Sequence, residues 1–128
     1  DLGTATTISV IDENRHFAGA VITAGLRLSQ KALFSNTAQL PATSLEAPKS
    51  VIGKNTADSI ASGLLIGCAA MMDGMIDRIE RELGRRASVV TTGGYAPVIA
   101  KLCTRETVCN EDLLLSGLWI LYKRQTEN

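Results

Sequence analysis

An α/β domain with a small mixed sheet is the fold this sequence predicts, and three observations carry it. Two short β-rich runs, Ile8 to Ile11 and Phe17 to Ile22, flank the polar turn Asp12-Glu13-Asn14-Arg15, as in a β-hairpin. Ile60, Leu64, Cys68, Met71, Met75, Ile79 and Leu83 then recur at spacings of three and four, the stripe of one long amphipathic helix. Finally, Ala87 to Val90 reads as a buried strand running straight into Thr91-Thr92-Gly93-Gly94, with a helix starting over Tyr95 to Leu102. The predicted order is hairpin, helix, long helix, strand, helix, helix.

Between these landmarks the elements follow local chemistry. Gly25 ends the second strand, and Leu26, Leu28, Ala32 and Leu33 suit a helix ending near Phe34 to Leu40, before Pro41. Pro41 to Ser50 reads as a surface connection. Asn55 or Thr56 caps the long helix, with Asp58 in its first turn. Gly84 stops it, beside a crowd of arginines at 78, 81, 85 and 86. Gly63, Gly67 and Gly74 each cost about 1 kcal/mol relative to alanine inside a helix, which predicts close packing there against a strand, a helix or a partner chain. The Met71, Met72 and Met75 cluster reads as core or interface filling. Leu113 to Tyr122 is an apolar helix carrying the only tryptophan, Trp119, and Lys123 to Asn128 is a polar tail expected to fray.

Composition narrows the function classes. The chain has 128 residues, one domain's worth, and 45% are hydrophobic, so a globular core is expected. Thirteen basic residues balance thirteen acidic ones, which argues against a broad nucleic-acid or anionic-membrane surface. Cys68, Cys103 and Cys109 form no C-x-x-C pair and read as free thiols of a reducing cytoplasm, without a zinc site. The apolar run Ile60 to Met72 is too short to span a bilayer, and no signal peptide is visible. His16, the only histidine, reads as a solvated turn residue. The chain opens on a charged residue inside a motif, so it is expected to be part of something longer.

That opening motif, Asp1-Leu-Gly-Thr-Ala-Thr-Thr7, has the most chemistry. Asp1 offers a carboxylate, Thr4 and Thr6 offer hydroxyls, and Gly3 lets a ligand approach the backbone. The set suits phosphate or metal binding, although the same string also makes ordinary turns. The Thr91 to Gly94 turn likewise either exposes backbone N–H groups to a ligand or serves geometry alone.

Taken in order, DLGTATT, GKNTADSI and TTGGYA, with FAGAVITAGL, Leu40-Pro41 and the closing LLLSGLWILYK, resemble the C-terminal half of type III pantothenate kinases. The resemblance runs over nearly all 128 residues. It implies a ribonuclease-H-like domain of the actin-like ATPase superfamily, one half of a two-domain kinase, with mixed sheet and flanking helices. It implies ATP, Mg²⁺ and a monovalent cation, potassium or ammonium, as cofactors, pantothenate as substrate, a cytoplasmic homodimer, and no nucleic-acid or membrane partner. By the same resemblance Asp1 matches the acidic ligand of the cation and Thr4 the ATP-contacting threonine. Gly93 and Gly94 match the adenosine-side turn, and Thr56 a threonine that binds pantothenate. Thr56 and Asp1 also have plain readings, as helix cap and turn acid.

Two departures accompany the match. Gly19-Ala20 and Ala24-Gly25 stand where the family carries Gly-Gly and Pro-Gly, each pair keeping one glycine. The family's D-x-G-N-T motif and the G-x-D-R segment, whose aspartate is taken as general base, do not occur here. Asp12-Glu13 in a turn and Glu80/Glu82 on a solvated helix face offer no substitute. The chain alone is therefore expected to be an inactive half of the kinase, lacking the N-terminal half. Two rivals stay open: a non-catalytic ATP-binding regulatory or assembly module, and a kinase for another small acceptor.

Overall fold

The computed structural model describes residues 1–35 and 45–127. The end of the first predicted helix beyond Ser35, Leu40-Pro41 and the start of the Pro41 to Ser50 connection lie outside the described residues.

Strands β1 (Ala5–Ile11) and β2 (Phe17–Ala24) form the expected antiparallel hairpin, with Ala5 opposite Ala24 and an irregularity where Ile11 meets Phe17. Asp12 organises the turn. Its carboxylate accepts the His16 N–H at 2.8 Å, and its carbonyl accepts the Arg15 N–H at 3.0 Å. His16 is solvated, as expected. Helix α1 (Leu26–Ser35) follows directly.

The long helix begins at α2 (Thr56–Ala61), passes through a π-helical segment at Ser62–Ile66 and continues as α3 (Gly67–Leu83). Asn55 is its cap, accepting the Asp58 N–H through its side-chain oxygen at 2.8 Å. Gly84, at φ 69°, closes it in the left-handed conformation. The segment Thr56–Leu83 is long and apolar enough, by length and composition, to cross a membrane. In this fold one of its faces lines the core.

That face is centred one residue off the predicted stripe, whose Leu64 is buried and whose Ile60, Cys68 and Met71 pack half-buried against the core. The buried ridge runs through Leu65, Ala69, Met72, Ile76 and Glu80, each one residue later than the expected 64, 68, 71, 75 and 79. The π-segment explains the offset. It winds an extra residue into the turn, so every downstream position rotates round the axis by one step. Leu64, inside the segment, is also buried. The shift puts Glu80 on the buried side at 8% exposure, correcting its reading as solvated, while Glu82 is exposed.

Of the glycine expectation, close packing against a strand or helix is not found among the described residues. A side chain at Gly63, Gly67 or Gly74 would meet nothing within 4 Å, so these residues pack against no other part of the described chain. They lie on the exposed side, away from the ridge.

Strand β3 is shorter and wetter than predicted, being only Val90–Thr91, with Val90 46% exposed and Thr91 buried. It pairs in parallel with β4 (Val108–Cys109), which the sequence reading missed because two residues carry no readable periodicity. The expected single sheet is thus two two-stranded sheets. They meet where the Leu2 N–H donates to the Thr92 carbonyl at 2.8 Å. Helix α4 is Ala96–Ala100, and α5 runs Leu113–Thr126, so Lys123 to Thr126 are helical rather than frayed.

The core gathers Leu2, Leu26, Leu64, Leu65, Ala69, Met72, Ala96 and Ile99, joining the opening turn, α1, the long helix and α4. Leu65 and Ile99 are fully buried. Helix α5 contributes nothing to it: none of its residues is buried.

Candidate functional site

The opening turn and the Gly-Gly turn are built into one corner. Leu2, 2% exposed, is its pivot: its N–H bonds the Thr92 carbonyl and its own carbonyl accepts the Tyr95 N–H at 3.4 Å. Asp1 and Thr7 exchange two backbone bonds, of 2.8 and 2.9 Å. Gly25 completes the corner, donating its N–H to the Thr4 carbonyl at 3.1 Å. A Cβ at Gly25 would sit 2.3 Å from that carbonyl oxygen, which is why the Ala24-Gly25 pair keeps its glycine.

Gly93 is the tightest point. It holds φ 95°, which side-chain-bearing residues rarely adopt, and a Cβ there would lie 2.7 Å from the Asp1 Oδ1 and from the Leu2 backbone. The Asp1 carboxylate therefore rests against the bare α-carbon of the TTGG turn. Gly94 beside it faces open space. Thr91, immediately upstream, has a hydroxyl that is buried without a hydrogen-bond partner, a polar atom in a place where pairing is the rule.

The expected site residues thus divide. Asp1, Gly93 and Gly94 share one corner, and Thr4 lies at its edge with its side chain exposed. Thr6, paired with Thr4 in the sequence reading, is buried. Thr56 stands apart, exposed in the first turn of α2. Because Asn55 takes the capping bond, the plain reading of Thr56 as the cap is overturned. Asp1 supplies a hard carboxylate oxygen suited to a monovalent cation. Among the described residues no group of three or more histidine, cysteine or acidic side chains is placed to hold a metal.

The acidic residues of α3 have other work. Asp73 accepts the Thr104 N–H and hydroxyl, both at 2.7 Å, and the Arg105 N–H at 3.1 Å, fastening the loop after α4 to the helix. Partial desolvation pushes the Asp73 carboxyl up, but these donors and the Arg105 charge together hold it below its ordinary value. Glu80 accepts the Ala87 N–H at 2.9 Å and pairs with Arg105 at 2.6 Å, and in that order these hold its carboxyl low against the opposing effect of burial. Arg105 also reaches Asp77 at 2.8 Å. Nearby, burial, then Asp73 and Cys68, push the Cys103 thiol up to about 11, so it stays protonated and unreactive at neutral pH. All three cysteines are unpaired.

Sequence reasoning missed this clamp, since nothing local ties Asp73 to Thr104 or Glu80 to Arg105. It also missed an open cleft of about 480 Å³ between α4 and β4, lined by Pro97, Ala100, Lys101, Thr107, Cys109 and Glu111. β4 had to be found before that cleft had a second wall.

The chain matches the sequence pattern of the type III pantothenate kinase family over residues 1–78. It is 38% identical over 124 residues to a type III pantothenate kinase of Bacillus cytotoxicus, a match covering 97% of this chain and 47% of that protein. Its fold resembles the crystal structure of a protein named for the Baf family of transcriptional activators, from Campylobacter jejuni. That likeness has a TM-score of 0.68 at 18% identity, and covers 98% of this chain and 56% of that one. The chain thus spans about half the length of these relatives. On sequence pattern and identity together, it belongs to the type III pantothenate kinase family.

Proposed function

We propose that this chain is the C-terminal, ribonuclease-H-like domain of a cytoplasmic type III pantothenate kinase, and that it forms one wall of the active-site cleft. The complete enzyme would transfer the ATP γ-phosphoryl group to the primary hydroxyl of pantothenate, on the way to coenzyme A. The observation that carries this reading is the fusion of the DLGTATT and TTGG turns, with Asp1 against Gly93.

In this reading Asp1 holds potassium or ammonium, and Thr4, Gly93 and Gly94 border the nucleotide. Thr56, its hydroxyl not used by the cap, contacts pantothenate. Gly94 leaves room beside the backbone, and Asp1 keeps its carboxylate at the surface of the corner. A cation and Mg²⁺, when bound, offset phosphate charge. The chain's own residues position the reactants, and positioning is the larger part of phosphoryl-transfer catalysis. The general base belongs to the other half. Asp73, Asp77 and Glu80, the acids gathered on α3, are already held by Thr104, Arg105 and Ala87.

ADP release in potassium buffer, from a polypeptide carrying both halves, tests the assignment. Asp1→Asn should lower it by about tenfold or more, as loss of a charge-positioning group does, and exchange of K⁺ for Na⁺ should affect wild type more than the variant. Equal activity of wild type and variant in both salts would remove Asp1 from the site. Tight ATP binding without any acceptor would favour the regulatory module instead, and turnover of a different acceptor the third reading.

The exposed glycines of the long helix are where we place the homodimer contact. Gly67→Leu should lower the native mass to that of one chain; an unchanged mass would refute that placement.

A further inference from the structure

We infer that α5 is an insertion element: it docks into the half of the family's length that this chain does not span, within the same polypeptide. Its surface is the first argument. Leu114, Leu115 and Leu118 are 54–72% exposed, and Trp119, Ile120, Leu121 and Tyr122 are 52–57% exposed. At about 100° per residue these side chains and Leu113 cover most of the circumference, leaving one strip for Ser116 and Lys123 and a second gap for Gly117 and Arg124. A helix apolar round most of its circumference belongs inside a protein. Its Trp119 stacks on Tyr122 at 5.7 Å and Lys123 lies over the Trp119 ring at 5.4 Å, both contacts within the helix itself.

The second argument selects the occupant. A two-fold contact with another copy buries one face of each helix and leaves the opposite face wet. A lipid surface likewise covers one side, and 14 residues are too few to span a bilayer. A folded unit with a groove can cover several faces at once. The Bacillus relative has just such a unit's worth of chain beyond what this sequence matches, since the match takes in 47% of it. Tethering within one polypeptide raises the local concentration of the two surfaces and makes docking intramolecular.

This inference rests on the half-kinase reading, and the test separates the two. Hydrogen exchange is measured on residues 113–122 in the polypeptide carrying both halves, across a hundredfold dilution, with and without vesicles of phosphatidylglycerol and phosphatidylethanolamine. The expected result is α5 protection matching that of α3, unchanged by dilution or vesicles. Leu118→Asp should speed exchange across 113–122 by about tenfold or more, as expected for local opening, leaving α3 unchanged. Protection lost on dilution would overturn the inference in favour of a second copy. Protection that needs vesicles would overturn it in favour of a lipid surface, and no protection at all would overturn it outright. Phosphoryl transfer to pantothenate, read on the same samples, distinguishes the failures. Activity with an unprotected α5 sinks the docking alone; a protected α5 without activity sinks the kinase reading alone.

Discussion

Helices α3 and α5 are both rich in large apolar residues, yet one is half inside the protein and the other wholly outside. On α3 a single ridge is buried, and its Ala69 and Met72 join Leu2, Leu26, Ala96 and Ile99 from the rest of the chain. On α5 the apolar residues point almost everywhere and meet nothing that buries them. Hydrophobicity alone therefore does not place a helix. An amphipathic one is satisfied by the neighbours it has here, while an all-round apolar one needs more than this chain supplies.

Truncation should expose that difference most sharply. Leu65→Ala, at a fully buried position of the π-segment, should cost about 2–5 kcal/mol in denaturant unfolding of the chain, whereas Leu118→Ala on α5 should stay within about 0.5 kcal/mol. Equal costs would mean that α5 packs against this chain after all.

Next in size, Gly93→Ala forces a side chain into φ 95° against Asp1 and Leu2, about 1–3 kcal/mol for the conformation before any clash is counted. Gly94→Ala meets open space and should leave stability nearly unchanged. If both were neutral, the two turns would not be locked together. Asn55→Ala should cost about 1 kcal/mol, while Thr56→Ala should not, because only Asn55 caps the helix.

The smallest effect is on pH. Asp73 and Glu80 titrate lower in the folded chain than their ordinary values of 3.8 and 4.5, so the folded state binds their protons less readily than the unfolded one. Their contribution is complete above those ordinary values and fades as pH falls through the lower folded ones. Thermal unfolding from pH 6 down to 2 should show Arg105→Gln flattening that acid-side loss.

What the sequence made legible was local or ordered along the chain. The hairpin, the Asn55 cap, the Gly84 stop and the three turn motifs all announce themselves within a few residues. The buried ridge of α3 was misplaced by one position because a π-turn has no composition of its own. β4 is too short to show a period, and the Asp73–Thr104 and Glu80–Arg105 clamps join residues some 25 to 31 positions apart. For the candidate site, the sequence named Asp1 and Gly93 separately; their contact depends on Leu2 pairing with Thr92, which only the fold brings about.

The proposed role of this chain is one wall of a kinase cleft whose base lies in the other half. Its most direct test is ATP- and pantothenate-dependent ADP release in potassium buffer, by the 128 residues alone and then with the remaining half of the family's length supplied. That role predicts silence from the chain alone and turnover once both halves are present. Turnover by the chain alone would contradict it, because the base would then lie among these residues, and silence in both cases would contradict the kinase assignment itself.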